Sequence, residues 1–95
     1  MSDLQEAILA KLQTVIDPET GADVVRMRLV ENLVVDADGQ VSYTFHPSSP
    51  LCPVAVYLVQ QIKGAVGTIS GVKAQKIKVT GYVAAEELTK LINQN

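Results

Sequence analysis

The sequence predicts an α+β domain: one two-layer unit of order αββαβα, with a small three-stranded sheet and helices packed on one face. Three observations predict it. Apolar residues recur at helical spacing near the N-terminus, in the middle and at the C-terminus. Two segments that alternate apolar and polar residues flank Asp38-Gly39, the signature of a hairpin. Each segment that reads as a strand has a single apolar face, so only one side of the sheet needs covering.

The elements follow in chain order. Ser2 suits a helix N-cap, with Gln5 three residues on to complete a capping box. Leu4, Ile8, Leu12 and Val15 then give residues 3–15 one apolar face, and Asp17-Pro18 is expected to end the helix, since the residue before a proline is driven out of the α region. Residues 17–30 open as turn chemistry. Val25, Met27 and Leu29 alternate with Arg26 and Arg28, which reads as an extended or a short irregular packing segment. Residues 31–46 form the hairpin: Leu33 and Val35 alternate in one arm, Val41, Tyr43 and Phe45 in the other, with Ser42, Thr44 and His46 on the opposite face. Pro47 to Pro53 is a breaker cluster. Val54, Leu58, Ile62 and Ala65 then share a helical face; the β-branched run would also suit a strand, but Pro53 fits a first helical position and Gly64 or Gly67 an end. Gly71 opens a last strand in which Gln75, Ile77 and Val79 oppose Lys76, Lys78 and Thr80. A helix over about residues 84–92 closes the chain, with Leu88, Leu91 and Ile92 expected inward.

Ninety-five residues suffice for one domain, residues 1–95, with a modest core. A net charge of −2 and only four aromatic residues (Tyr43, Phe45, Tyr57, Tyr82) argue against nucleic acid, which needs an excess of clustered cations or a stacking platform. No apolar run is long enough to span a bilayer, so no membrane role is expected. The acidic start Met-Ser-Asp-Leu-Gln-Glu does not read as a signal peptide, and one cysteine excludes an internal disulfide, so a cytoplasmic location is expected.

Cys52 is the outstanding chemical position. Between two prolines at the expected start of the central helix, its thiol would feel unpaired N–H groups and the positive end of the helix dipole, which favour the thiolate and hence nucleophilicity or metal affinity. A small buried hydrophobe is the alternative. Asp17-Pro18-Glu19 puts two carboxylates on a rigid turn that could serve Cys52 as ligands or proton acceptors, or could simply cap local N–H groups. His46, the one histidine, falls on the polar sheet face six residues before Cys52. Lys73, Lys76 and Lys78 read as a solvated face that keeps the sheet from self-pairing, or as a docking surface for an acidic client. There is no CxxC, HExxH or phosphate-cradling glycine pattern, and no self-contained enzyme site is expected.

The sequence nevertheless resembles one family closely. Val15-Ile16-Asp17-Pro18-Glu19, Gly21, Asp23-Val24-Val25, Leu29-Val30, Ser48 to Pro53 and Gly71-Val72, in this order, are similar to the metal–sulfur cluster assembly family with its SufT-like, PaaD-like and MIP-type members. The resemblance implies a non-enzymatic accessory factor in iron–sulfur cluster assembly or delivery to client apo-proteins. It carries Asp17, Glu19, Asp23, Ser49 and Cys52 over as the functional motif, with Cys52 the expected metal ligand. It implies assembly proteins and client apo-proteins as partners, and a transient cluster or iron rather than a tightly bound cofactor. One cysteine cannot complete a four-thiolate set, so further ligands would come from a partner, a small thiol or a homodimer. Two other readings stand beside it: a metal-free adaptor that binds clients through the Cys52 loop, and a thiol enzyme with His46 as base. The chain departs from the family where Arg28 replaces a usual glycine; if that site needs positive φ, Arg28 is strained.

Overall fold

The computed structural model describes residues 3–18, 20–47, 51 and 54–94. Its elements are α1 (Asp3–Leu12), β1 (Val30–Val35), β2 (Gln40–Phe45), α2 (Ala55–Gly67), β3 (Ala74–Val79) and α3 (Ala85–Asn93), the αββαβα order the sequence predicts. The strands form one sheet in the order β1-β2-β3, with β1 antiparallel and β3 parallel to β2. Alternation sets the faces: Val41, Tyr43 and Phe45 of β2 and Ile77 and Val79 of β3 are buried against α1 and α2, while Lys76 and Lys78 face outward.

The hairpin forms as its sequence dictates. Gly39 has φ +83°, and the Gly71 carbonyl lies where a β-carbon would stand. Asp36 holds the turn from below, its Oδ1 accepting from the N–H groups of Asp38 (2.8 Å) and Gln40 (3.0 Å). β1 carries a bulge between Glu31 and Val34, with Asn32 at φ +55°.

Three expectations need correcting, and one open alternative is decided. The first helix stops at Leu12, short of Asp17-Pro18, because Thr14 and Val15 donate to Lys11 and Leu12 in tight three-residue turns and the chain then swings into a bridge between Ile16 and Asp23. Val15 still reaches the core, as its spacing suggests, but from outside the helix. The segment before β1 is the irregular alternative, not an extended one: Val24 is fully buried beside Leu29, and Val25 and Met27 are only half-buried. Leu91 points to solvent at 55 % exposure, since α3 buries only the narrow stripe of Leu88 and Ile92. The capping role read for Ser2 lies outside the described residues, whereas α2 begins at Ala55 with Val54 as its N-cap, so the first helical position falls on Ala55 and not on Pro53.

α3 runs along the outer edge of β3. Asn93 behaves like a neighbouring strand: its Oδ1 accepts from the Ile77 N–H (2.8 Å) and its Nδ2 donates to the Ile77 carbonyl (2.6 Å). One helical turn earlier, the Thr89 hydroxyl accepts from the Val79 N–H (3.0 Å). Lys63 of α2 then closes the C-terminus of α3 by donating to the carbonyls of Ile92 (2.6 Å) and Gln94 (3.2 Å).

Candidate functional site

Because β2 and β3 are parallel and α2 crosses between them, the segment after β2, the N-terminus of α2 and the segment after β3 lie at one end of the sheet. β1 enters from that same end, with Val30 opposite Phe45. A run of backbone hydrogen bonds ties the acidic turn to this place. The Val24 N–H donates to Val15 (3.0 Å), the Leu29 N–H to Val24 (3.0 Å) and the His46 N–H to Leu29 (2.8 Å). Thr14, Val15 and Ile16 also flank a groove of about 470 Å³ with Tyr57, Gln60 and Gln61 of α2.

The turn itself is a small closed loop. The Asp17 N–H donates to the Ala22 carbonyl (2.9 Å), and the Gly21 N–H returns to the Asp17 carbonyl (2.8 Å), with Gly21 at φ +74°. Asp17 is 1 % exposed. No buried side-chain nitrogen or oxygen among the described residues is without a hydrogen-bond partner, so its carboxylate is sunk into the loop as a satisfied group.

Asp23 starts a single helical turn. Its Oδ1 accepts from the Arg26 N–H (2.8 Å), an N-cap, and its carbonyl accepts from the Met27 N–H (3.1 Å). The turn closes with a Schellman motif: the Leu29 N–H reaches back to Val24, the Arg28 N–H bonds to Val25 (3.0 Å), and the apolar pair Val24–Leu29 packs beneath. This motif requires a left-handed residue, and Arg28 fills it at φ +58°. The cost of that conformation for a residue with a β-carbon is about 1–2 kcal/mol. The strain conditionally expected of Arg28 is therefore present.

His46 is exposed beyond the end of β2. Its Nδ1 lies 3.3 Å from the Thr80 hydroxyl, and its ring occupies the space where a β-carbon on Gly81 (φ +67°) would stand. Thr80 and Gly81 were not singled out from sequence; a glycine directly after a strand that pairs with the histidine strand was the available signal. The structure thus brings Asp17, Asp23, Arg28 and His46 to one end of the fold. Glu19, Ser49 and Cys52 lie outside the described residues. The lysines read as a solvated face are exposed, and no three His, Asp or Glu side chains gather to hold a metal among the described residues.

The sequence profile of the iron–sulfur cluster assembly proteins matches residues 5–79. The chain belongs to that family. Among curated iron–sulfur proteins, it is 37 % identical over 76 residues to an Fe-S protein maturation auxiliary factor of Porphyromonas gingivalis, covering 80 % of this chain and 72 % of that one. It is 33 % identical over 75 residues to an iron–sulfur cluster carrier protein of Synechocystis, covering 79 % of this chain but only 21 % of the carrier. The crystal structure of a domain of unknown function from Bacillus anthracis superposes with a TM-score of 0.75 at 26 % identity, over 94 % of this chain and 87 % of that one. This chain shares its two-layer αββαβα arrangement with that structure, and no described helix is long and apolar enough to cross a membrane.

Proposed function

We propose that this protein is a non-enzymatic accessory factor in iron–sulfur cluster assembly, which uses the Cys52 loop, braced by the acidic turn, to pass a cluster or iron to client apo-proteins in the cytoplasm. The observation that supports the reading is the run Val15–Val24–Leu29–His46, which ties the loop of Asp17 and Asp23 to the end of the sheet where β2 finishes. Family membership and the maturation-factor and carrier relatives support the same role. The cargo is a transient substrate. A chain with one cysteine lacks the four thiolates of a typical cluster, so partner or client ligands complete the set, from an assembly protein, a client or a second copy of the chain.

The carboxylates take different parts. Asp17 is buried and satisfied and Asp23 is occupied as a cap, so both shape the loop, leaving Glu19 and Cys52 as the groups that meet cargo and Ser49 as a hydrogen-bonding neighbour. That division also favours a second reading, the metal-free adaptor, in which the loop contacts the client and the cargo never touches this chain. Anaerobic incubation of wild type and Cys52→Ala with iron and sulfide separates them, alongside client activity in cells. Uptake by wild type alone, with loss of client activity in the variant, is the expected result. No uptake by either, with full client activity of the variant, overturns cluster handling by Cys52.

A further inference from the structure

The same end of the fold holds two arginines that the fold does not use. Arg26 and Arg28 are both exposed, and neither guanidinium has a hydrogen-bond or ion-pair partner among the described residues. The backbone around them is closed without their side chains: Asp23 caps the turn through the Arg26 N–H, and the Schellman bonds at Arg28 are main-chain bonds. Arg28 stands at φ +58°, where glycine would be at ease. The other non-glycine residue with positive φ, Asn32 at +55°, is of a type that tolerates this conformation. Arg28 is not, and backbone strain kept at an exposed cation without a partner among the described residues calls for a use of that cation.

We propose that Arg26 and Arg28 form a docking point for an acidic polypeptide segment of the partner that receives or supplies the cargo. The proposal rests on the assembly role above for the identity of that partner, and on the loop alone for its chemistry. A protein of net charge −2 repels acidic partners at long range, so two exposed guanidiniums beside the motif loop supply local attraction and orient the encounter. Arginine suits this better than lysine, because its planar fork engages carboxylates in pairs. Both side chains stand in solvent, which favours a protein surface over an enclosed small anion.

Arg28→Gly makes the test unusually clean, because it relieves strain: the melting temperature rises by a few degrees, so lost binding is not lost folding. The probe is a fluorescent peptide carrying six Glu residues, with its Gln counterpart as control, titrated at about 50 and 300 mM salt. Wild type prefers the Glu peptide at low salt; Arg28→Gly weakens it about threefold or more, Arg28→Lys less, and Arg26→Gln with Arg28→Gly abolishes the preference. Client activity in cells falls in the same order. A wild type with no preference for the Glu peptide, or a double variant that keeps the preference, overturns the proposal. So does Arg28→Gly with a raised melting temperature and full client activity. Cys52→Ala separates the two ideas: an inactive Cys52→Ala beside a fully active Arg28→Gly removes the docking point alone, whereas arginine-dependent peptide binding with an active Cys52→Ala removes cluster handling by Cys52 alone.

Discussion

The edge of β3 and the loop from Ile16 to Leu29 solve opposite problems. At the edge, side chains serve the backbone: Asn93 and Thr89 occupy N–H and carbonyl groups that would otherwise template another strand. In the loop most bonds run from backbone to backbone, through Asp17–Ala22, Gly21–Asp17 and the Schellman bonds, with Asp23 Oδ1 capping the Arg26 N–H, while the charged side chains of Arg26 and Arg28 remain outside. The first region gives up polar side chains for stability; the second stores strain and keeps cations available. The two regions thus use their side chains differently, and mutations in them should have different signatures.

The largest effect is expected where the loop meets the core. Leu29→Ala empties a site that is 2 % exposed and should cost about 2–5 kcal/mol in urea unfolding. Hydrogen exchange should accelerate first in residues 16–29, with the β3 edge still protected; uniform acceleration would mean that the two regions are one cooperative unit. Asn93→Ala should cost about 1–3 kcal/mol by leaving the Ile77 amide and carbonyl without partners. Light scattering should show more self-association, and an unchanged mass would mean that the edge is protected by something else.

Within the loop, two neighbouring changes should have opposite signs. Asp23→Ala removes the cap and should destabilise by about 0.5–2 kcal/mol. Arg28→Gly should stabilise, by roughly 1 kcal/mol or less once the greater entropy of an unfolded glycine is counted. Equal signs in thermal melts would refute the Schellman account of this turn.

The smallest effect at neutral pH concerns Tyr43, which is buried and donates to Gln75 Oε1 (2.8 Å), while Gln75 Nε2 donates to the Lys63 carbonyl (2.9 Å). Burial pushes the phenol above its ordinary value of 10.0. The folded state therefore favours the neutral ring: its contribution is complete below about pH 10 and is lost as pH rises beyond that. Stability of wild type relative to Tyr43→Phe should be flat to that point and then fall, with the phenolate absorbance of Tyr43 appearing together with unfolding.

Element order, the hairpin and most of the core were legible in the sequence, because periods of 3.6 and 2 and a positive-φ glycine at 39 are local properties. The first helix was drawn too long because Val15 keeps helical spacing while lying outside the helix, and Leu91 was placed inward because a nine-residue helix was given a wider apolar face than it has. At the candidate site, the strain at Arg28 could be foreseen from a single unexpected side chain. That Asp23 is a cap could not, since a carboxylate in a motif looks the same whether it holds a ligand or an N–H group.

Composition and periodicity alone determined that this is a small α+β domain with one sided strands and one cysteine, since burial of apolar faces depends chiefly on their spacing along the chain. Only the tertiary structure decided that the acidic turn stands at the end of β2 and that α3 seals an edge. Those outcomes depend on hydrogen bonds between residues far apart in the chain, Leu29 with His46 and Asn93 with Ile77, and no local pattern encodes such a meeting.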